Sequence, residues 1–304
     1  MGAQRNDWCL LDEANFQEFF RNSDPLVIYV LYPETPCVLR IQTYNLAVFG
    51  LHPNWDKRVH MLAEEITRIS ADVIGIQEAR HDPFYGSGPI QRKISGFLSS
   101  VSDKKPSGRH MLDDLLSLVP QYPYYYWQPA MNYKDGIVEG IAVLSRFPIS
   151  DIEFVKLTKS KGDGNRRVCL KATVKHPRNE LQFFNTHMTY SVNGQVKQSE
   201  EIIKFMDSQN QGSPQVLVGD LNIKNKFENP GLLLATQLVD VWKLLNSEDP
   251  GFTFPSWGPK ERYDRILVRN LPGVLECGIS GFAENKKQWP SDHCTLFADF
   301  LIAT

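Results

Sequence analysis

The sequence predicts an α+β fold on three observations: a strand–helix–strand unit between residues 38 and 78, a run of short strand candidates from 122 to 185, and a second helix-then-strand unit from 196 to 219. At 304 residues the chain can bury one sizeable core, and no linker demands a domain boundary after residue 38. The reading is therefore a segment 1–37 of uncertain packing followed by one domain, 38–304.

Within 1–37, residues Asn15 to Phe20 can start a short helix, and Leu26 to Tyr32 is an apolar, strand-like run closed by Pro33. Val38 to Tyr44 alternates as a half-buried strand does and ends in Asn45. Val59, Leu62, Ile66 and Ile69 fall on one face of an amphipathic helix, with Asp56, Glu64, Glu65 and Arg68 largely opposite. Asp72 to Glu78 is a short buried strand ending in a carboxylate. A right-handed parallel crossover then brings Asn45 and Glu78 to corresponding strand ends. Residues 79–108, rich in Gly, Ser and Pro, form a surface excursion with a candidate helix from Ile90 to Val101. Met111 to Val119 reads as a helix stopped by Pro120.

Five short strands follow, Tyr122–Trp127, Gly140–Leu144, Ile152–Leu157, Val168–Val174 and Leu181–Asn185, separated by turn-rich loops. That density predicts antiparallel sheet. Val196 to Met206 carries an apolar helical stripe, and Gln215 to Gly219 is a buried strand running into Asp220-Leu221-Asn222. Arg262–Val268 and Cys294–Leu301 close the chain as strands.

Composition narrows the function classes. With 42% hydrophobic and 22% charged residues the chain is an ordinary globular one, neither disordered nor fibrous. A formal net charge of −2 supplies no bulk attraction to nucleic acid or anionic membrane, so any phosphate binding must be local. The five cysteines are scattered and form no Cys-x-x-Cys pair, which argues against a disulfide framework or a zinc site and for reduced thiols, hence an intracellular (cytoplasmic or nuclear) protein. The N-terminus lacks the apolar core of a signal peptide, no segment reaches a membrane span, and Asn6 argues against myristoylation at Gly2. A monomer is expected.

Four motifs carry chemistry. Asp220 and Asn222 alternate with Leu221, so a persisting strand points both to one face, where a carboxylate orients water and an amide donates to a phosphoryl oxygen; the alternative is a turn. Glu78 and Asn45 offer oxygens at neighbouring strand ends, the kind of donor a hard cation such as magnesium takes, although a lone strand-end glutamate is also a solvated terminus. His187 needs a carboxylate partner to become an imidazolium that meets phosphate charge, and Glu139 is the candidate. Asp264 pairs with His293, fixing its tautomer and raising its pKa, or else forms a strand-edge salt bridge with Arg262 or Arg265; Asp292 is then left to face a cation.

Thr43-Tyr44-Asn45-Leu46, Ile76-Gln77-Glu78, Glu139 to Ile149, Asn185-Thr186-His187, Val218 to Asn222, Tyr263-Asp264-Arg265-Ile266 and Ser291-Asp292-His293 occur in that order. Over residues 38–301 the chain resembles the endonuclease/exonuclease/phosphatase superfamily, the group similar to deoxyribonuclease I. The resemblance implies a four-layer α/β sandwich, two packed, mostly antiparallel sheets flanked by helices. It implies magnesium or manganese on Glu78, Asn45 and Asp292, a water oriented or deprotonated by Asp220, phosphoryl contacts from Asn222 and His187, and His293, held by Asp264, acting on phosphate or leaving group. Trp289, Asn185 and Arg265 complete the expected substrate contacts.

The Tyr263–Ile266 strand is similar to that of 5′-type tyrosyl-DNA phosphodiesterases, while Tyr44 departs from the tryptophan usual before their metal asparagine. Lys156, Lys159, Lys161, Arg166, Arg167 and Lys171 cluster on one predicted hairpin, either a phosphate-tracking stripe or a solvated face. The expected activity is a phosphodiesterase acting on nucleic acid. The alternatives are a sphingomyelinase or inositol-phosphate phosphatase, and a non-catalytic scaffold that kept the fold.

Overall fold

Two crossovers set the layout. In chain order the elements are β1 (Cys37–Asn45), α1 (Trp55–Ile69), β2 (Val73–Asp82), β3 (Arg109–His110), α2 (Met111–Leu118), β4 (Tyr124–Asn132), β5 (Val138–Ser145), β6 (Ile149–Leu157), β7 (Arg167–Lys175), β8 (Glu180–His187), α3 (Val192–Asp207), β9 (Gln215–Asp220), β10 (Val239–Asp240), α4 (Val241–Leu245), β11 (Asp264–Arg269), β12 (Val274–Ser280) and β13 (Thr295–Ile302). The structure, a computed structural model, describes residues 37–85, 108–133, 135–209, 212–224, 234, 237–271 and 273–302. The expected helix and strand before residue 37, Gly2, and the candidate helix 90–101 lie outside the described residues.

One seven-stranded sheet runs β12-β13-β1-β2-β5-β4, with β3 added beside β2, and a six-stranded sheet runs β10-β11-β9-β8-β7-β6. Among the described strands, β1–β2 and β8–β9 pair in parallel and the other pairs are antiparallel. A parallel neighbour cannot be reached by a tight turn, and α1 and α3 are the crossovers that reach these two. Each pair therefore brings polar residues together at one edge of its sheet: Asn45, the end of β1, beside Gln77 within β2, and His187 and Asp220, the ends of β8 and β9, directly opposite each other.

Leu39, Ile41, Val73 and Val143 from one sheet pack on Leu170, Val216, Val218 and Ile266 from the other. α1 and α2 cover the outer face of the first sheet through Leu62, Ile66 and Leu115 over Tyr44, Ile74 and Leu144. α3 covers the second through Ile202 and Met206 over Phe184 and Leu217. The order is helix, sheet, sheet, helix. Leu62 and Ile66 are fully buried at the helical spacing read from the sequence, each stabilising by roughly 2 kcal/mol. Leu62→Asp would break that face. Among the described residues no helix is long and apolar enough to cross a membrane.

Two glycines permit the close approaches that align the site. A Cβ on Gly75 would lie 2.3 Å from Val218 across the sheet interface, and one on Gly219, whose φ is +146°, would lie 1.9 Å from the Thr186 carbonyl oxygen. Strand β12 was not expected from the sequence. It is a half-buried edge strand, Val-Leu-Glu-Cys-Gly-Ile-Ser, in which an acidic residue and a glycine interrupt the apolar pattern.

Candidate active site

The site forms where the ends of β1, β8 and β9, the bulge of β2 and the start of β11 converge. Asp220 ends β9, and its two flanking strands place His187 and Asp264 directly beside it in register. Its Oδ1 accepts from the Asn222 N–H at 2.9 Å. Its Oδ2 lies 3.0 Å from Asn45 Nδ2, 3.4 Å from His187 Nε2 and 3.6 Å from His293 Nε2. One carboxylate oxygen thus gathers three groups from three strand ends or loops.

His293 Nδ1 donates to Asp264 Oδ2 at 2.8 Å, and Phe254 and Tyr263 pack against the ring at 4.9 and 6.2 Å between centroids. Asp264 thus pairs with His293; Arg262 and Arg265 bond instead to Asp240. Burial opposes a charge on His293, but Asp264 and Asp220 outweigh it and hold the imidazolium well above the ordinary histidine range. Burial likewise pushes the Asp220 carboxyl up, opposed by His293 and assisted by Asp264, to about 7.

His187 departs from expectation. Burial, reinforced by Arg167 and His293, holds it well below the usual range, so it is a neutral imidazole. Its expected partner Glu139 is engaged elsewhere, accepting from Arg80 Nη2 at 2.7 Å, because β5 places Glu139 opposite Arg80 of β2 in register. Glu139 still lines the same narrow cleft as His187, Arg166 and Arg167. Burial and the nearby Glu78 raise its pKa, and Arg80 counters them.

Glu78 does not end its strand. β2 continues to Asp82, and Glu78 sits in a register shift opposite β5 with a left-handed backbone, φ +58°. Such a φ is rare outside glycine, and the bulge takes this side chain out of the strand's alternation. Its Oε2 accepts from the Val48 N–H at 2.8 Å and its Oε1 from Asn45 Nδ2 at 3.2 Å. Asn222 departs too: β9 stops at Asp220, Asn222 turns to φ +54°, and its amide donates to the Met188 carbonyl at 3.0 Å. The turn, not a persisting strand, holds it against Met188.

Ser291 ties the last motif down: its hydroxyl donates to the Asn45 carbonyl and accepts from the His293 N–H. Asp292 follows with Oδ2 3.6 Å from His52 Nε2. Burial raises the Asp292 pKa, His293 opposes this, and Glu78 adds to it. Among the described residues no cluster of three or more His, Cys, Asp or Glu stands in metal-ligand geometry. Glu78 and Asp292 nevertheless form a half-buried pair of carboxylates with hard oxygen atoms, which suits a divalent cation completed by water and substrate oxygens. Asn45 fits less directly, since its Oδ1 accepts from the Ala47 N–H and its NH₂ faces Glu78 and Asp220.

Two expected substrate residues are not in the cleft. Asn185 is fully buried between the sheets, donating to the Ile76 and Ala142 carbonyls at 2.9 and 2.8 Å while accepting from Gln77 Nε2. Arg265, on the face of β11 opposite Asp264, bonds to Asp240 at 3.3 Å. Trp289 does sit at the rim, against His52, Trp257 and the Arg58 guanidinium.

The sequence reading missed Arg58, Arg80 and His52. Arg58 is 3% exposed and donates to the carbonyls of Leu46, Ala47, Pro53 and Pro290, clamping the segment after Asn45 to the segment before Asp292. Burial lowers its pKa to about 10, against the pull of Asp292, Tyr44 and Glu78. Its signal was present: a charge four residues before Leu62, on the apolar face of α1.

The endonuclease/exonuclease/phosphatase family model matches residues 43–293. No curated protein matches the chain. Among solved structures, an endonuclease/exonuclease/phosphatase family protein from Leptotrichia buccalis superposes with a TM-score of 0.65 at 21% identity, covering 86% of this chain and 99% of that one. The endonuclease/exonuclease/phosphatase from Bacteroides vulgatus gives 0.65 at 18%, covering 88% and 99%. Truncated Caenorhabditis elegans TDP2 gives 0.60 at 17%, covering 87% and 98%. The family match runs from β1 through His293, taking in every strand end that meets at Asp220, and the chain belongs to the endonuclease/exonuclease/phosphatase family.

Proposed function

We propose that this protein is a divalent-metal-dependent phosphodiesterase acting on nucleic acid. The observation that carries the reading is the convergence of Asn45, His187 and His293 on Asp220 Oδ2, beside the carboxylate pair Glu78 and Asp292. Hydrolysis of a phosphodiester needs a base for the water, an acid for the leaving oxygen, and compensation for charge on the phosphoryl group.

Asp220 is the base. With its pKa pushed up to about 7 it takes the proton of the attacking water near neutrality, as the water oxygen bonds to phosphorus. His293 is the acid. Asp264 keeps its Nδ1 proton in place and its ring charged, so the Nε2 proton passes to the leaving oxygen as the P–O bond breaks. His187, neutral, offers an N–H to a phosphoryl oxygen, and Asn45 holds Glu78 and Asp220 in fixed relation. Glu78 and Asp292 would hold Mg²⁺ or Mn²⁺, which when bound supplies positive charge to the phosphoryl oxygens. Arg58 and Ser291 position these groups without touching the reacting atoms.

The choice of nucleic acid is supported by the nuclease members named in the family, by the Tyr263–Ile266 strand, and by aromatic rims at Trp257 and Trp289 able to stack a base. The test is hydrolysis of bis(p-nitrophenyl) phosphate with Mg²⁺, beside a panel of single-stranded DNA, 5′-tyrosyl DNA, abasic duplex, RNA, sphingomyelin and inositol phosphates. Turnover of the lipid or polyol phosphates alone would overturn the substrate assignment. Absence of metal-dependent turnover from folded protein would sink the enzyme reading and leave the scaffold.

A further inference from the structure

A cavity of about 210 Å³ opens between the first turn of α1 and the loop that leads to Trp289. Its walls carry Lys57, Arg58, Lys286 and Lys287, with Met61 and Trp289 as apolar surface, and among the described residues no carboxylate lines it. In a chain of net charge −2, four cations around one hollow are not a consequence of composition. None of Lys57, Lys286 and Lys287 has an ion-pair partner among the described residues. The basic hairpin, which the sequence leaves as either a phosphate-tracking stripe or a solvated face, is partly neutralised by contrast, Lys171 by Glu153 and Arg167 by Asp163.

The cavity adjoins the catalytic cleft through a thin wall. Trp289 lines the cavity on one side and packs on His52 at 5.3 Å between centroids, and His52 Nε2 lies 3.6 Å from Asp292. Arg58 sits 5.1 Å from the Trp289 ring and bonds to Pro290, so the wall is held rigid. The Trp289 indole N–H donates to the Lys286 carbonyl, which fixes the lysine-bearing loop to the same wall. The volume is below that of a site enclosing a whole small molecule, roughly 300 Å³ or more. It suits one phosphate-bearing unit of something larger, and lysine ammoniums are point charges that suit phosphate oxygens.

We propose that this cavity is a subsite for a non-scissile phosphate of the substrate, a backbone phosphodiester of an oligonucleotide whose scissile phosphate lies at Asp220. This rests on the phosphodiesterase reading above. Lys57, Lys286 and Lys287 supply the charge, and the Trp289 face receives an attached base.

The test compares wild type with Lys286→Ala/Lys287→Ala and with Lys57→Ala, on a single-stranded oligonucleotide and on bis(p-nitrophenyl) phosphate, which has no second phosphate. The lysines are exposed, so an unchanged Tm is expected and verifies the fold. For the double variant we expect KM for the oligonucleotide to rise about tenfold with kcat within about twofold, and the salt dependence of log KM to flatten by about 0.7, the single-strand value for one phosphate. Kinetics on bis(p-nitrophenyl) phosphate should not change. Equal losses on both substrates, or an unchanged oligonucleotide KM, would overturn the subsite. If wild type cleaves neither substrate, the phosphodiesterase reading fails by itself, and the cavity is then read by binding of the same oligonucleotide, followed by tryptophan fluorescence. Weaker binding by the double variant supports the subsite, and identical binding overturns it. Inositol hexakisphosphate provides the other source of phosphate: if it alone shows the lysine dependence, the oligonucleotide assignment is overturned.

Discussion

His293 Nδ1 lies 2.8 Å from Asp264 Oδ2, and both residues are almost wholly out of solvent. The pair explains why one histidine of the site is held charged while its neighbour His187 is held neutral. His293 has a buried carboxylate in hydrogen-bond contact, and His187 has burial and two nearby positive groups. Asp264→Asn is therefore expected to lower kcat by about 10²–10⁴-fold, the range for losing a positioned proton donor. Since Asp264 raises the His293 pKa, the basic limb of the pH–rate profile should move to lower pH in the variant, a shift that a merely misfolded protein would not show.

Asp220→Asn separates chemistry from stability. The folded-state pKa of about 7 lies above the ordinary 3.8, so the folded protein holds the extra proton between those values. Stability from this group is present at low pH and is lost as pH rises through about 7. The variant lacks that loss. In metal-free buffer its Tm should exceed that of wild type at pH 8 and converge with it toward pH 4, while turnover is abolished. A Tm gap that is the same at both pH values would refute the burial argument.

Chelation by EDTA should stop hydrolysis, and added Mg²⁺ should restore it. Glu78→Gln and Asp292→Asn remove the two carboxylates proposed to hold the metal, and each should raise the Mg²⁺ concentration for half-maximal rate by roughly 10–100-fold, the range seen when metal sites lose a supporting group. Titration of rate against Mg²⁺ reads this directly. Arg58→Met should move the same quantity in the same direction, because Arg58 clamps the segments on which Asn45 and Asp292 stand.

Asn185→Leu should cost about 1–3 kcal/mol of stability, since two strand carbonyls and the Gln77 amide lose their buried partner. Denaturant unfolding measures it. In enzyme that remains folded, KM should stay near the wild-type value, because Asn185 joins the sheets and does not reach the cleft.

The sequence by itself determined most of the elements and the list of reactive groups, and its family resemblance implied the layers. Period-two and helical spacing are local, so β1, α1, β2, α3 and β9 were legible, and the strand-end positions of Asn45, His187 and Asp220 followed from them. The pairing of Asp264 with His293 was legible too, once the motifs were taken together. What only the tertiary structure decided were the partners. Glu139 meets Arg80 and not His187 because the β2–β5 register puts them opposite each other. Asn185 faces inward because β8 runs against β2 across the sheet interface, where Gly75 leaves room for it. Glu78 leaves its strand through a bulge that no local pattern announces. Lys57 stands beside Lys286 and Lys287 although more than two hundred residues separate them in the chain. Charge, burial and hydrogen bonding act through space, so the partners that set each group's protonation and reach are properties of the assembled sheets, while the groups themselves are properties of the chain.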